Sequence, residues 1–162
     1  MTQRKLSQSA DASTLFDQNR RFYDALWSDA QLVDPQRFNT WPLVQALLAE
    51  GSARLEVGPG LRPRLPIEGT HFVDISAPAL SVLGERGGRP ALAEVTRLPF
   101  AAGTFDLVCA MDIVEHVDDG DGALAELVRV ARPGAVLLMS TPLHPSRWTA
   151  FDDFVGHKRR YQ

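Results

Sequence analysis

Short apolar runs alternate with longer mixed segments from residue 51 onward, and this alternation predicts buried strands separated by helices. Strands are predicted at residues 54–57, 71–75, 90–95, 105–111 and 135–141. The last two are nearly continuous apolar runs, which are typical of strands buried on both faces. Helices are predicted at residues 77–86 and 121–131. Such βα repeats with right-handed crossovers form an open parallel sheet with helices on both faces.

The first 50 residues have a different pattern, in which apolar positions recur at helical spacing and no strand is predicted. Ser13 can cap a helix that runs to about Ala30. Its apolar stripe consists of Leu15, Phe16, Phe22, Tyr23, Leu26 and Trp27. A second helix is predicted from Pro42 to about Glu50, with Gly51 as its stop. We therefore separate an N-terminal helical region, residues 1–50, from a core, residues 51–162.

Composition and charge narrow the class of protein. The chain has 162 residues, 44% of them hydrophobic and 23% charged, which describes one soluble globular domain. A formal net charge of -3 provides no basic field, so nucleic acid is not an expected partner. Cys109 is the single cysteine and is expected to be buried, which leaves no cysteine-based metal site. No apolar run is long enough to span a bilayer, and a cytoplasmic location without a membrane partner is the default expectation.

The segment from Arg54 to Gly60 places an acid and two glycines directly after an apolar run. Gly58 and Gly60 allow a tight turn and a close approach of the backbone to a ligand. In a dinucleotide site such a turn presents N–H groups to a pyrophosphate, and Glu56 just before the turn would be unfavourable there. A ligand with a cation or hydroxyl groups is therefore favoured. Prolines at 63 and 66 leave room for at most one helical turn after it.

Acids follow three of the predicted strands. Glu56, Asp74 and Glu94 each lie near a carboxyl end, and ligands of open α/β sheets bind beyond these ends. Asp74 can accept both hydrogens of a ribose diol. Each acid alone is more often a solvated loop residue. Together, around Gly58 and Gly60, they predict a ligand that carries a nucleoside.

Residues 54–145 resemble the class I S-adenosylmethionine-dependent methyltransferases. Glu56, Gly58 and Gly60 match the first motif of that family, although Arg62 replaces its third glycine. The resemblance continues at residues 73–75, 94–100, 105–108, 111–117 and 126–134. It implies an open Rossmann-like three-layer sandwich with strand order 3-2-1-4-5 and S-adenosylmethionine as the cofactor.

The resemblance also implies a set of cofactor-binding residues: Glu56, Gly58, Gly60, Asp74, Ile75, Glu94, Val95 and Asp112. Asp74 would hold the ribose, whereas Glu94 and the backbone N–H of Val95 would contact the adenine. The family usually has aspartate in place of Glu94. An N-terminal helix often covers the ligand in this family, which would make residues 1–50 a cap. Packing alone is the other interpretation of the stripe that includes Tyr23 and Trp27.

The expected reaction is methyl transfer to a small-molecule acceptor by in-line displacement, for which positioning and exclusion of water supply much of the acceleration. His116 and Asp112 are the candidate catalytic residues, with Glu115 and His144 as weaker candidates. The alternatives are a loop cap for Asp112 and a packed, backbone-bonded histidine for His116. No metal is expected. A nicotinamide-dependent dehydrogenase is disfavoured because Glu56 precedes the turn and Arg62 replaces a glycine.

The resemblance implies that a further helix and two further strands follow residues 154–161, a segment that in many members lies over the active site. The sequence ends at Gln162, so five strands of the expected seven are predicted. The fifth strand would then form an exposed edge and could support a homodimer. The alternative function is a fragment or pseudoenzyme that binds cofactor but is catalytically impaired. The basic cluster at residues 157–160, without the family, is typical of a solvated tail.

Overall fold

The computed structural model describes residue 17 and residues 19–49 and 52–162. Five parallel strands form one sheet in the order β3-β2-β1-β4-β5. Their bounds are β1 Arg54–Val57, β2 His71–Asp74, β3 Arg89–Leu92, β4 Phe105–Met111 and β5 Ala131–Ser140. The predicted fold class and strand order are therefore confirmed.

Five helices accompany the sheet in the described part of the chain. Residues 19–28 are helical and form α1. The others are α2 Trp41–Leu47, α3 Ala77–Glu85, α4 Gly120–Val130 and α5 Ala150–Val155. Asp119 caps α4 by accepting a hydrogen bond from the N–H of Gly122. The predicted cap at Ser13, the stripe residues Leu15 and Phe16, and the stop at residues 50–51 lie outside the described residues.

Helices cover both faces of the sheet. Successive residues of a strand point to opposite faces, so each strand supplies apolar side chains for helices to pack against on both sides. On one face, Leu55 and Val108 belong to a cluster that includes Leu127 of α4. On the other face, Leu107 and Cys109 pack with Val44 of α2. Cys109 is completely buried, as the apolar run around it predicts. The core thus has three layers.

The strand bounds differ from the predictions at both outer strands. The third strand ends at Leu92 rather than residue 95, because residues 95–96 form a turn. The fifth strand begins at Ala131 rather than at residue 135, so residues 132–134, which were predicted to lie outside it, belong to it. The register with β4 shifts between Phe105 and Leu107, and Gly134 has φ +84° there. A bulge of this kind absorbs extra residues without ending the strand.

The connection between β1 and β2 contains only turns and bends, as the two prolines predict. Beyond β5, residues 156–161 return to the sheet, where the N–H of Tyr161 donates to the carbonyl of Pro142. Among the described residues, no helix combines the length and apolar character needed to cross a membrane.

Candidate functional site

A cavity of about 230 Å³ opens at the carboxyl edge of the sheet. Its walls come from the ends of β1, β2 and β4, the segment after β3, and α1. The lining residues are Tyr23, Trp27, Val57, Gly58, Val73, Asp74, Ile75, Ala93, Glu94, Val95, Met111, Asp112, Ile113, His116 and Val117. The strand order reverses between β1 and β4, so the cavity lies at the switch point where open α/β sheets bind ligands.

The glycine turn is covered by side chains. Gly58 and Gly60 have φ of +67° and +53°, a region that favours glycine. A Cβ on Gly58 would overlap Ile113, and a Cβ on Gly60 would overlap the indole of Trp27. The turn therefore needs glycine for its backbone conformation and for the packing of these two side chains. Only Gly58 of the two is part of the cavity lining.

Glu56 points to the side of the sheet away from the cavity. It is 2% exposed, and its carboxylate accepts hydrogen bonds from the N–H groups of Arg64 and Leu65 at 2.8 to 3.1 Å. Burial raises the pKa of Glu56 to about 7, against these two donors, which lower it. In this structure the carboxylate holds the loop after the glycine turn, and it is not among the cavity-lining residues.

Asp74 is the last residue of β2 and lines the cavity. Its two oxygens accept hydrogen bonds at 2.9 Å from the N–H groups of Gly60 and Ser76, which fix the side chain at the mouth of the glycine turn. Each carboxylate oxygen can accept more than one hydrogen bond, so both remain usable by a ligand. Burial raises the pKa of Asp74, and the charge of Asp24 adds to that effect.

The predicted adenine residues, Glu94 and Val95, follow β3 and also line the cavity. Glu94 is exposed and lies 3.4 Å from the Thr96 hydroxyl, whereas Val95 is 6% exposed. Ile75, after β2, lines the same cavity. The structure thus brings the predicted residues Asp74, Ile75, Glu94 and Val95 together around one space.

Asp112 follows β4 with φ +55°, which is unusual for a residue other than glycine. Its N–H donates to the carbonyl of Ser140 at 3.0 Å, and its Oδ1 accepts from the Ser140 hydroxyl at 2.9 Å. These contacts hold an exposed carboxylate at the cavity wall. Strained backbone of this kind is frequent at functional sites, where surrounding structure maintains it.

His116 stands at the cavity wall in the short 3₁₀ turn Val114–His116. The Tyr23 hydroxyl of α1 lies 3.2 Å from its Nδ1. Burial lowers the pKa of His116 to about 4, and His157 adds to that effect, so the imidazole is neutral. Burial likewise raises the pKa of Tyr23 to about 12. His144 is exposed and is not among the cavity-lining residues, although it was a weaker candidate.

His157 is a member of the site region that the sequence did not predict. Its ring centroid lies 4.7 Å from that of His116, and its Nδ1 lies 2.8 Å from Asp152 Oδ1. Glu115 is completely buried beside them, and burial raises its pKa to about 7. The only sequence signal was the position of His157 in a segment similar to one that covers the active site in the family.

Together, the switch-point cavity and the three carboxylates that line it, Asp74, Glu94 and Asp112, describe an α/β domain with its ligand site at the carboxyl edge of the sheet. The family model described as "Methyltransferase domain" matches residues 58–139, about half of the chain. The chain belongs to this family, whose cofactor is S-adenosylmethionine.

Curated relatives agree with the family. A demethylmenaquinone methyltransferase from Beutenbergia cavernae is 30% identical over 154 residues, which cover 90% of this chain and 63% of that protein. A norajmaline N-methyltransferase from Rauvolfia serpentina is 39% identical over 51 residues, or 32% of this chain and 18% of that protein. The chain therefore spans less than two thirds of the length of either relative.

A solved structure with the same fold is an S-adenosylmethionine-dependent methyltransferase from Thermotoga maritima, described as a possible histamine N-methyltransferase. Its TM-score is 0.61 at 21% identity, with 75% of this chain and 62% of that chain covered. At this level of identity the similarity concerns the fold alone.

Proposed function

We propose that this domain transfers the methyl group of S-adenosylmethionine to a small-molecule acceptor by in-line displacement. The supporting observation is the cavity at the switch point, where Asp74 at the end of β2, Glu94 after β3 and Asp112 after β4 lie beside Gly58. A nucleoside with a sulfonium charge needs acceptors for its hydroxyl and amino groups and an anion near its cation. These carboxylates supply both.

In the proposed complex, the ribose hydroxyls donate to Asp74, whose orientation is already fixed by Gly60 and Ser76. Glu94 accepts from the exocyclic amine of adenine, and the backbone N–H of Val95 donates to the ring. The side chain of Ile75 packs beside the nucleoside. Gly58 and Gly60 give the turn its shape, and Glu56 contributes to binding by holding the loop that follows.

The chemical step is a displacement at the methyl carbon. A lone pair of the acceptor forms the new bond to carbon while the carbon–sulfur bond breaks and its electron pair stays on sulfur. Asp112 lies at the wall where its negative charge can hold the sulfonium. For an acceptor that must lose a proton, neutral His116 is the proposed base. Tyr23 and Trp27 close the cavity from α1 and help to exclude water.

The proposal of a small-molecule acceptor rests on the net charge of the chain and on the residues that line the cavity. The net charge of -3 differs from the positive charge typical of domains that bind a polyanion, and the aromatic side chains of Tyr23 and Trp27 line the cavity. Two curated relatives are named for small acceptors. One is a demethylmenaquinone methyltransferase and the other is a norajmaline N-methyltransferase.

Calorimetric titration of the 162-residue chain with S-adenosylmethionine and, separately, with NAD tests the cofactor. We expect saturable binding of the former and none of the latter. Binding of NAD alone would contradict the proposal.

Release of demethylated cofactor is then measured with a panel of phenols, amines and quinols. Cofactor binding without turnover in the whole panel would favour the alternative of a catalytically impaired binding module.

A further inference from the structure

Three side chains of types that can bind a metal ion lie together beside the cavity. They come from two separate parts of the chain. Glu115 and His116 belong to the 3₁₀ turn after β4, and His157 follows α5. One ligand atom from each lies within 4.8 Å of the others. We propose that these residues bind a divalent transition-metal ion, a site that goes beyond the proposed methyl transfer; while an ion is bound, His116 is a ligand and does not act as the base.

Glu115 provides the first reason. Its side chain is completely buried, and the Thr141 hydroxyl is its one nearby side-chain donor in the described part of the chain, without a hydrogen bond of good geometry to either carboxylate oxygen. A buried polar group without a partner is costly, more so when it is charged. A cation held between Glu115 and the two histidines would satisfy these oxygens.

His157 is oriented as a metal ligand usually is. Asp152 is completely buried and accepts from Arg160 at 2.7 and 2.8 Å, so its carboxylate is fixed. Its Oδ1 lies 2.8 Å from Nδ1 of His157, which makes Nε2 the nitrogen that the ring offers to an ion. A carboxylate behind a histidine sets the tautomer and raises the basicity of the ligand. The His116 ring has the Tyr23 hydroxyl 3.2 Å from Nδ1 and also contacts the backbone of Val155, a contact that a bound ion would replace.

Backbone contacts keep the two parts of the cluster together without an ion. The N–H of Lys158 donates to the carbonyl of Glu115 at 2.7 Å. The guanidinium of Arg159 donates to the carbonyls of Val117 and Asp118 at 2.9 and 2.6 Å. The ligands are thus arranged before binding, which lowers the entropy cost of forming the site.

The charges around the cluster have both signs. Asp112 and Asp152 are negative neighbours, whereas Lys158 and Arg160 are positive. Arg160 is paired with Asp152, and Lys158 lies 3.9 Å from Asp118. Because the nearest cations are matched by carboxylates, Glu115 supplies the negative charge that an ion would meet.

The ligand set indicates the kind of metal. Two imidazoles and one carboxylate suit Zn²⁺, Co²⁺ and neighbouring first-row ions, whereas Mg²⁺ and Ca²⁺ prefer oxygen ligands. Three protein ligands are also typical of sites that keep one coordination position open. His116 places this site at the cavity wall.

The test uses the whole chain, freed of metal by a chelator and without S-adenosylmethionine. Co²⁺ is added and its visible absorption is followed, and Zn²⁺ is titrated by calorimetry. We expect one equivalent of either ion to bind, with nitrogen-type absorption of Co²⁺. The variants Glu115→Gln and His157→Gln should each weaken binding more than about 100-fold, and Asp152→Asn about 10- to 100-fold.

His144→Asn is the matched control, because it removes an exposed histidine and asparagine tolerates the φ of +63° found there. It should bind both ions as the unmodified chain does. If a cluster variant fails to fold, the melting temperature of the unmodified chain gives a second measure, and it should rise with Zn²⁺ but not with Mg²⁺. Absence of Co²⁺ binding, or equal losses in His144→Asn and His157→Gln, would overturn the proposal. Since cofactor is absent, either result leaves the methyl-transfer proposal standing.

Discussion

At the scale of single residues, the three predicted acids have different environments. Asp74 and Glu94 line the cavity, whereas Glu56 points to the opposite side and holds a loop. The same residue type at the end of neighbouring strands can therefore serve ligand binding or backbone support. Its direction is set by the alternation of side chains along each strand.

Asp74 is the residue whose loss should most weaken cofactor binding. Asp74→Ala removes a carboxylate that would accept from two ribose hydroxyls, and hydrogen bonds to charged groups contribute about 1.5 to 3 kcal/mol each. We expect the dissociation constant for S-adenosylmethionine to rise at least about 10-fold in calorimetry. Glu94→Gln, which keeps one acceptor oxygen, should cause a smaller loss. An unchanged constant in Asp74→Ala would show that the ribose lies elsewhere.

The raised pKa of Glu56 predicts that the free energy of unfolding depends on pH. Its folded-state pKa of about 7 lies above the ordinary 4.5, so the native state favours the protonated acid. This stabilisation is complete below pH 4.5 and is lost as the pH rises through 7, a change of about 3 kcal/mol.

The measurement for Glu56 is urea unfolding between pH 4.5 and 8. Glu56→Gln resembles the protonated acid and cannot ionise, so the stability of the unmodified chain relative to this variant should fall as the pH rises. Parallel pH profiles for the two proteins would show that folding does not shift the pKa of Glu56.

At the scale of elements, the glycine turn joins α1, β1 and the segment after β4. Trp27 from α1 and Ile113 after β4 occupy the space that side chains at Gly60 and Gly58 would fill. The N-terminal helix is consequently part of the cavity wall as well as of the packing. Tyr23 and Trp27 line the cavity, and Trp27 also packs on Gly60, so the covering role of this helix stays a prediction.

Gly58→Ala should destabilise the fold through two separable effects, backbone strain and overlap with Ile113. Gly103→Ala is the matched control, since Gly103 has φ +63° and nothing within 4 Å of its added Cβ. Strain alone should cost Gly103→Ala about 1 to 2 kcal/mol, and Gly58→Ala should cost more. Chemical denaturation measures both.

The double variant Gly58→Ala/Ile113→Ala isolates the overlap. Its loss of stability should be smaller than the sum of the two single losses, because the alanine at 113 makes room for the new Cβ. Additive losses would mean that Gly58 is required for its backbone conformation alone.

At the scale of the whole molecule, β5 forms one edge of the described sheet. Val136 on this strand is 39% exposed, and an unpaired edge with apolar residues can pair with another chain. A homodimer through this edge stays a prediction.

Val136→Lys tests that edge. Lysine is a residue with which natural proteins block edge pairing, so the variant should remain monomeric at concentrations where the unmodified chain associates. Val128→Lys is the control, since Val128 is 63% exposed and lies on α4 rather than on a strand. Sedimentation velocity over a range of concentrations gives the comparison. A monomeric unmodified chain at every concentration would contradict the prediction.

Much of the fold followed from local sequence alone. The bounds of β1 and β4 and the absence of a helix between β1 and β2 were predicted, because apolar runs and prolines act on their own neighbourhood. The meeting of Asp74 and Glu94 at one edge was also predicted, since carboxyl ends of parallel strands share that edge.

Tertiary structure alone decided which side chains meet. The bulge that extends β5 through residues 132–134 depends on its pairing with β4, and the turn residues there gave no sign of it. The cover of Trp27 on Gly60 and the contact of His157 with His116 likewise depend on contacts between distant segments. Local pattern specifies the elements and their ends. The register of the strands and the contacts of residues 156–161 with the segments after β4 and β5 decide which of those ends form a site.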